Sequence, residues 1–319
     1  MPDHVNYRPI VDKFLNLYEP IDHKPMEGDF PSIRSLVEHI FGEQYELGMD
    51  YLQLLYLQPI HKLPILLLVS EERNTGKSTF LNFLKVLFQN NVTFNTNEDF
   101  RSQINSDWAG KLLIVVDEVL LNRREDSEWL KNLSTTLSYK VESKGKDRDV
   151  IAFFAKFVLC SNNEYLPVII DAGETRYWVR KIDRLQSDDT DFLQKLKTEI
   201  PAFLYHLQHR QLSTEKESRM WFAPPLLHTE ALQKIIRSNR NRLEIEMCEL
   251  ILDIMANTGI DTFSFCCNDI LALLANTYVK AEKHQVRRVL QEYWKLTPAP
   301  NGLTYTTYQV NYNRDGMSR

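Results

Sequence analysis

The chain has 319 residues, with 38 Lys and Arg against 43 Asp and Glu and a formal charge of −5. Apolar residues make up 43% and charged residues 25%, which excludes disordered, collagen-like and coiled-coil classes. The acidic balance also excludes a chain basic all over that coats nucleic acid nonspecifically, so any such contact has to come from local clusters.

Residues 1–30 contain Pro2, Pro9, Pro20 and Pro25, which break any long helix into an extended or short-helical arm. No charged head followed by an apolar run is present there, so this is no signal peptide. From Ser32, apolar residues at Ile33, Leu36, Val37, Ile40 and Phe41 have helical spacing closed by Gly42. A second amphipathic stretch ends at Pro59. The run PILLLVS (64–70) is then a short strand buried on both faces. A polar loop and an amphipathic helix follow it directly.

Two further buried strands are expected. KLLIVVDEV (111–119) ends in two acids and FFAKFVLCSNN (153–163) ends in Ser-Asn-Asn. Helical patterns lie between and after them, so the sheet should be mostly parallel and covered by helices. Around 211–229 the sequence turns irregular and suggests a linker. Residues 242–319 carry three helical patterns and an alternating terminal strand, the makings of a small winged helix. Their cations are concentrated: 280–319 carry a net +4, leaving −9 for the first 279 residues.

The chemistry clusters around a phosphate-loop pattern, GxxxxGK[ST], which 71–78 matches except that Glu71 replaces the first glycine. Backbone N–H groups near Asn74, Thr75 and Gly76 would face phosphates, with Ser78 and Thr79 opening the helix. Lys77 would reach the β/γ-phosphates and the Ser78 hydroxyl would hold Mg²⁺. Asp117 and Glu118 end a strand expected to lie next to the phosphate strand, where one acid binds Mg²⁺ and the next orients water. The alternative is a solvated strand end. An amide at Asn162 could touch a γ-phosphate, or simply close a turn.

Arg176, with Arg180 as competitor, could stabilise charge at a neighbouring subunit's nucleotide or be an ordinary surface arginine. In 140–148, Gly145 allows a tight turn that puts Lys144 and Lys146 at a hairpin tip near Arg148, able to follow a phosphate backbone or merely stay solvated. His206 and His209 have no carboxylate pattern for a metal. Cys160, Cys248, Cys266 and Cys267 have no zinc spacing and read as buried thiols of a reducing compartment. No apolar stretch approaches the about 20 residues of a membrane span. The expectation is an intracellular soluble protein with no membrane partner.

Taken in order, TGKST (75–79), VVDE (115–118), KVESKGKDR (140–148), CSNN (160–163) and GETRYW (173–178) resemble the ATPase core of superfamily 3 helicases. The resemblance is to the helicase half of phage and poxvirus-type primase-helicases and covers roughly 32–210. It implies an α/β fold of modified AAA+ type, assembled as a hexameric ring with ATP between subunits. By that resemblance Lys77 and Ser78 bind phosphate and Mg²⁺, Asp117 the metal, and Glu118 polarises water. Asn162, or Asn163 one residue on, is the γ-phosphate sensor, and Arg176 the finger acting in trans. Lys144, Lys146 and Arg148 grip single-stranded or forked DNA, and a primase or polymerase is a further partner.

The expected domains are an N-terminal arm and helical collar (1–58), the ATPase core (59–212), the linker (213–241) and the winged-helix-like domain (242–319). The rival readings are a non-helicase AAA+ initiator or loader, a small-molecule kinase, and a winged-helix adaptor with a dead ATP site.

Overall fold

The computed structural model describes residues 10–11, 14–15, 20–99, 106–108, 110–121, 123–141, 149–171, 173–185, 189–239, 242–277, 279 and 281–308. The chain divides into two compact units, 1–239 and 240–319.

The first unit is built on five parallel strands. In chain order its elements are the two-residue strands β1 (Ile10–Val11) and β2 (Phe14–Leu15), α1 (Pro31–Phe41), α2 (Tyr45–Leu57), β3 (Ile65–Val69), α3 (Lys77–Phe88) and β4 (Val92–Asn95). Next come β5 (Leu113–Val116), α4 (Arg124–Thr135), β6 (Ser138–Val141), β7 (Asp149–Ala152), β8 (Lys156–Ser161) and β9 (Tyr177–Lys181). Helices α5 (Phe192–His209), α6 (Pro224–Leu227) and α7 (Glu230–Ser238) complete it. The sheet runs β4-β5-β8-β3-β9, and β6 pairs antiparallel with β7 beside it in sequence.

This order corrects the expected adjacency of the acid-ended strand and the phosphate strand. β8 lies between them, pairing Leu66 with Val158 on one side and Ile114 with Phe157 on the other. Strands buried on both faces read as continuous apolar runs, and such runs carry no information about neighbour order. Five strands form where three were expected. β4 and β9 escape the sequence reading because β4 (VTFN) is short and half exposed and β9 (YWVRK) ends in cations.

Alternate residues of each strand feed two cores. Leu66, Leu68, Val115, Val158, Cys160 and Trp178 face α1, α2, α3 and α5. Ile65, Leu67, Val69, Ile114, Val116 and Leu159 face α4 and α7. The helices at 31–57, the span of the expected collar, form one covering layer of the sheet, and nine consecutive residues of α2 from Leu47 to Leu55 are buried. α1 starts with Pro31 at its first position, where a missing N–H costs nothing. Its next two N–H groups donate to the Glu199 carboxylate of α5 at 3.1 and 2.9 Å. The region expected as a linker holds α6 and α7 instead. Leu232, Ile235 and Ile236 of α7 join the core, and Thr229 caps that helix while its hydroxyl donates to Val179 O at 2.6 Å.

The second unit contains α8 (Arg242–Thr258), α9 (Cys267–Leu274) and α10 (Lys283–Arg288), the last continued by a π-turn over Val289–Tyr293. Its core is formed by Leu243, Met247, Leu250, Ile270, Leu273, Val286 and Val289. Three helices were expected. The terminal strand is not found among the described residues 301–308, where Tyr305 instead donates to Asp269 at 2.5 Å and Tyr308 packs on Phe263. No helix among the described residues is long and apolar enough to cross a membrane.

One buried charge locks the helical layer. Asp50, fully buried in α2, accepts from Arg210, from Ser213 N and Oγ (3.0 and 2.9 Å), and from Thr214 N and Oγ1 (2.8 and 2.7 Å). Asp50→Ala leaves those donors and the Arg210 charge uncompensated. It is expected to destabilise the first unit by about 3–5 kcal/mol, measured by urea unfolding, and a loss below about 1 kcal/mol would contradict this role.

Candidate nucleotide site

The loop between β3 and α3 is where sequence and backbone geometry meet. Asn74 and Gly76 take left-handed φ values of 56° and 81°. Glycine adopts this conformation freely, and Asn is the residue type that tolerates it next best. Glu71, where the pattern has glycine, has no positive φ; its N–H donates to Glu164 Oε1 at 3.2 Å. The substitution therefore introduces no backbone strain.

Lys77 opens α3 almost fully buried, and its ammonium donates to Ser70 Oγ, Thr75 Oγ1 (3.1 Å) and Asn162 Oδ1 (3.0 Å). Burial pulls its pKa below the ordinary lysine range, only partly opposed by Cys160, Asp117, Glu118 and Glu164. The Ser78 hydroxyl donates to Asp117 Oδ2 at 2.6 Å. Octahedral Mg²⁺ binds hard oxygens at 2.0–2.1 Å and so spaces neighbouring ligands about 2.9 Å apart. Ser78 and Asp117 offer the hard-oxygen donors such an ion needs, here 2.6 Å apart in a direct hydrogen bond. Thr79 sits behind Ser78 in the first turn, half-buried.

Glu118 is exposed at the tip of β5 with φ 62°, a strained conformation for a residue with a Cβ. Its carboxylate accepts from Asn162 Nδ2 at 3.3 Å. Asn162 thus bridges Lys77 and Glu118, whereas Asn163 Oδ1 accepts from Tyr165 N (2.8 Å) and Leu166 N (2.9 Å) and closes the turn. All five strand ends point to one edge, so Lys77, Ser78, Asp117, Glu118 and Asn162 converge although they span 86 residues of sequence.

Three residues that sequence reading missed also shape the site. Asn97, just beyond β4, donates to Glu118 O at 3.1 Å and accepts from Leu120 N at 2.9 Å, strapping the strained turn. Glu164 is buried beside the loop between Lys234 (2.7 Å) and Lys181 (3.6 Å). Burial raises its pKa, but the Lys234 hydrogen bond and both cations outweigh that and leave it below the ordinary carboxylate range. His39 of α1 donates from Nε2 to Thr75 O at 3.0 Å. No motif marks these three residues; only their placement at the loop reveals them.

The remaining candidates lie elsewhere. Arg176 immediately precedes β9, and its carbonyl accepts from Ile65 N at the start of β3. The five residues of β9, at about 3.3 Å each, put it about 16 Å from the phosphate-loop edge of its own sheet. Its Nε donates to the buried Glu174 at 2.8 Å. Arg180 is buried and donates to Glu43 (2.6 Å) and Gln44 (3.0 Å), tying β9 to the α1–α2 joint. Lys144, Lys146 and Arg148 lie outside the described residues; only the flanking strands β6 and β7 are described, paired from Ser138–Ala152 to Val141–Asp149.

Residues 68–180 match a family of unknown function, DUF5906. That span begins inside β3 and ends inside β9, so it includes every residue of the converged edge and Arg176. No curated protein matches the sequence. In fold the chain is similar to the apo C-terminal region of NrS-1, its residues 305–718, at 18% identity and TM-score 0.63 over 78% of this chain and 64% of that one. The A form of that apo region gives 18% identity and TM-score 0.60 over 77% and 61%. A JCV helicase structure with a bound small molecule aligns at 14% identity and TM-score 0.38 over 73% and 66%. The likeness to NrS-1 is one of fold, and this chain spans just under two thirds of that region.

The strain at Glu118 is measurable. Glu118→Gly is expected to raise stability by about 1 kcal/mol, while Asn97→Ala lowers it by about 1–2 kcal/mol, both read by denaturant unfolding. A destabilised Glu118→Gly would show that the left-handed turn is not strained.

Proposed function

We propose that the chain is an ATP-dependent DNA helicase or translocase of superfamily 3 type, acting in phage-type replication. One observation carries the reading: the phosphate loop, the Ser78–Asp117 pair, Glu118 and Asn162 meet at one sheet edge. The similarity in fold to the NrS-1 C-terminal region supports it. Lys77 would turn from Ser70, Thr75 and Asn162 to the β- and γ-phosphates, and the loop N–H groups would bind their oxygens. Mg²⁺, held by Ser78 and Asp117, would neutralise developing charge on those phosphates. Glu118 would orient and polarise the attacking water, with Asn162 reporting the γ-phosphate to it.

Arg176 supports assembly. On the opposite sheet edge it is out of reach of its own loop, so its charge would serve a nucleotide on the neighbouring subunit, as in a hexameric ring. Both arginines are paired, but Arg180 is buried between Glu43 and Gln44, whereas Arg176 is partly exposed and holds Glu174 through Nε, which favours Arg176 as the finger. Lys144, Lys146 and Arg148, between β6 and β7, would contact single-stranded DNA, and forked DNA, a primase or a polymerase would be further partners.

Lys77→Ala is expected to abolish ATP hydrolysis and strand displacement on a forked DNA, and ATP-dependent unwinding by this variant would sink the assignment. Mixing Lys77→Ala with Arg176→Ala protein should restore part of the turnover, because each chain supplies what its neighbour lacks. ATP hydrolysis without strand displacement would instead identify an AAA+ initiator or loader. Lys144→Ala with Lys146→Ala should retain nucleotide binding and lose stimulation of turnover by DNA.

A further inference from the structure

A loop that binds phosphate through its N–H groups has to turn its carbonyls away from the ligand, and each carbonyl turned away needs a donor. Two successive carbonyls of this loop have one. Asn74 O accepts from Leu185 N at 2.9 Å, and Thr75 O accepts from His39 Nε2 at 3.0 Å. The same two residues enclose the left-handed turn. A Cβ placed on Gly76 would meet Leu185 Cδ1 at 3.5 Å and His39 Cδ2 at 3.7 Å. With a carbonyl as its partner, the His39 Nε2 must carry the proton.

The donor is rigidly held. Ile40 and Phe41 beside it are fully buried, Glu199 binds the first turn of α1, and Arg180 fixes Glu43 and Gln44 just beyond its end. His39 itself is only half-buried, so burial of its side chain does not account for its position.

From this geometry we infer that His39 is a positioning residue for nucleoside triphosphate binding: it holds the Thr75 carbonyl out of the phosphate cradle and joins α1 to the loop. The inference rests on the proposed phosphate-binding role of the loop. His39 touches the loop backbone rather than the nucleotide, so it should govern affinity more than the rate of the bound complex.

The test is titration of a fluorescent, non-hydrolysable ATP analogue with Mg²⁺ into the full chain and the variants His39→Ala, His39→Gln, His39→Asn and Lys77→Ala, alongside KM and kcat for ATP. A glutamine amide reaches the position of Nε2, whereas an asparagine amide ends about one bond short. His39→Ala and His39→Asn are expected to weaken binding and raise KM by about three- to tenfold, with kcat within about twofold, and His39→Gln to restore wild-type affinity. The Gln–Asn comparison holds polarity constant, so a general loss of folding cannot produce the split. Wild-type affinity in both His39→Ala and His39→Asn, or equal weakening in His39→Gln and His39→Asn, overturns the His39 role while leaving the site intact. Retained affinity in Lys77→Ala overturns the phosphate-loop reading and this inference with it.

Discussion

The placement of β8 between β3 and β5 sets the spacing of every polar group at the candidate site. If β3 and β5 were neighbours, their backbones would run one strand spacing, about 4.8 Å, apart. With β8 inserted the gap doubles, and the tip of the inserted strand supplies the bridging group. Asn162 fills that role, accepting from Lys77 and donating to Glu118. The parallel direction of all five strands matters equally, because it sends every C-terminal end to the same edge. An antiparallel β8 would deliver Lys156 there instead of Asn162.

Parallel strands need cover on both faces, and this requirement explains the helical layers. α1 and α2 are held to the sheet by their apolar faces and by Arg180 of β9 with Glu43, and α2 is tied to the end of α5 by Asp50 with Arg210. The arginine beside Glu43 holds its carboxyl below the ordinary range, chiefly through their hydrogen bond. These contacts place α1 against the phosphate loop, so the helical layer serves the site as well as the core.

The buried runs at 65–69, 113–116 and 156–161 were legible because both faces of each strand are apolar. The polar tips were legible because polar residues interrupt those runs abruptly, as at Asp117 and Asn162. Strand order was not legible, since ladder pairing depends on backbone rather than side-chain identity. β9 was hidden because Arg180 is charged in sequence but buried in the fold, neutralised by residues from α1–α2 more than 130 positions earlier. α7 was hidden for a related reason: Lys234 and Arg237 mask the Leu232–Ile235–Ile236 face until Val69 and Val179 are opposite it. Asn97 and His39 act through backbone carbonyls, and a contact of that kind leaves no pattern of residue types to read.

The loop also shows how a buried cation is held by neutral groups. Lys77 is a buried cation whose hydrogen-bond acceptors are two hydroxyls and an amide, all neutral. Burial depresses the pKa of Lys77, and neutral acceptors, which compensate a charge about half as well as ionised ones, do not restore it. Ser78 meanwhile spends its proton on Asp117. On the proposed reading both contacts are placeholders: phosphate oxygens replace the neutral acceptors of Lys77, and a cation replaces the Ser78 proton facing Asp117. Each exchange substitutes a stronger electrostatic partner through a side-chain rotation. On that reading the left-handed residues Asn74, Gly76 and Glu118 would already have the backbone in place, and nucleotide binding would not have to supply the cost of reshaping it.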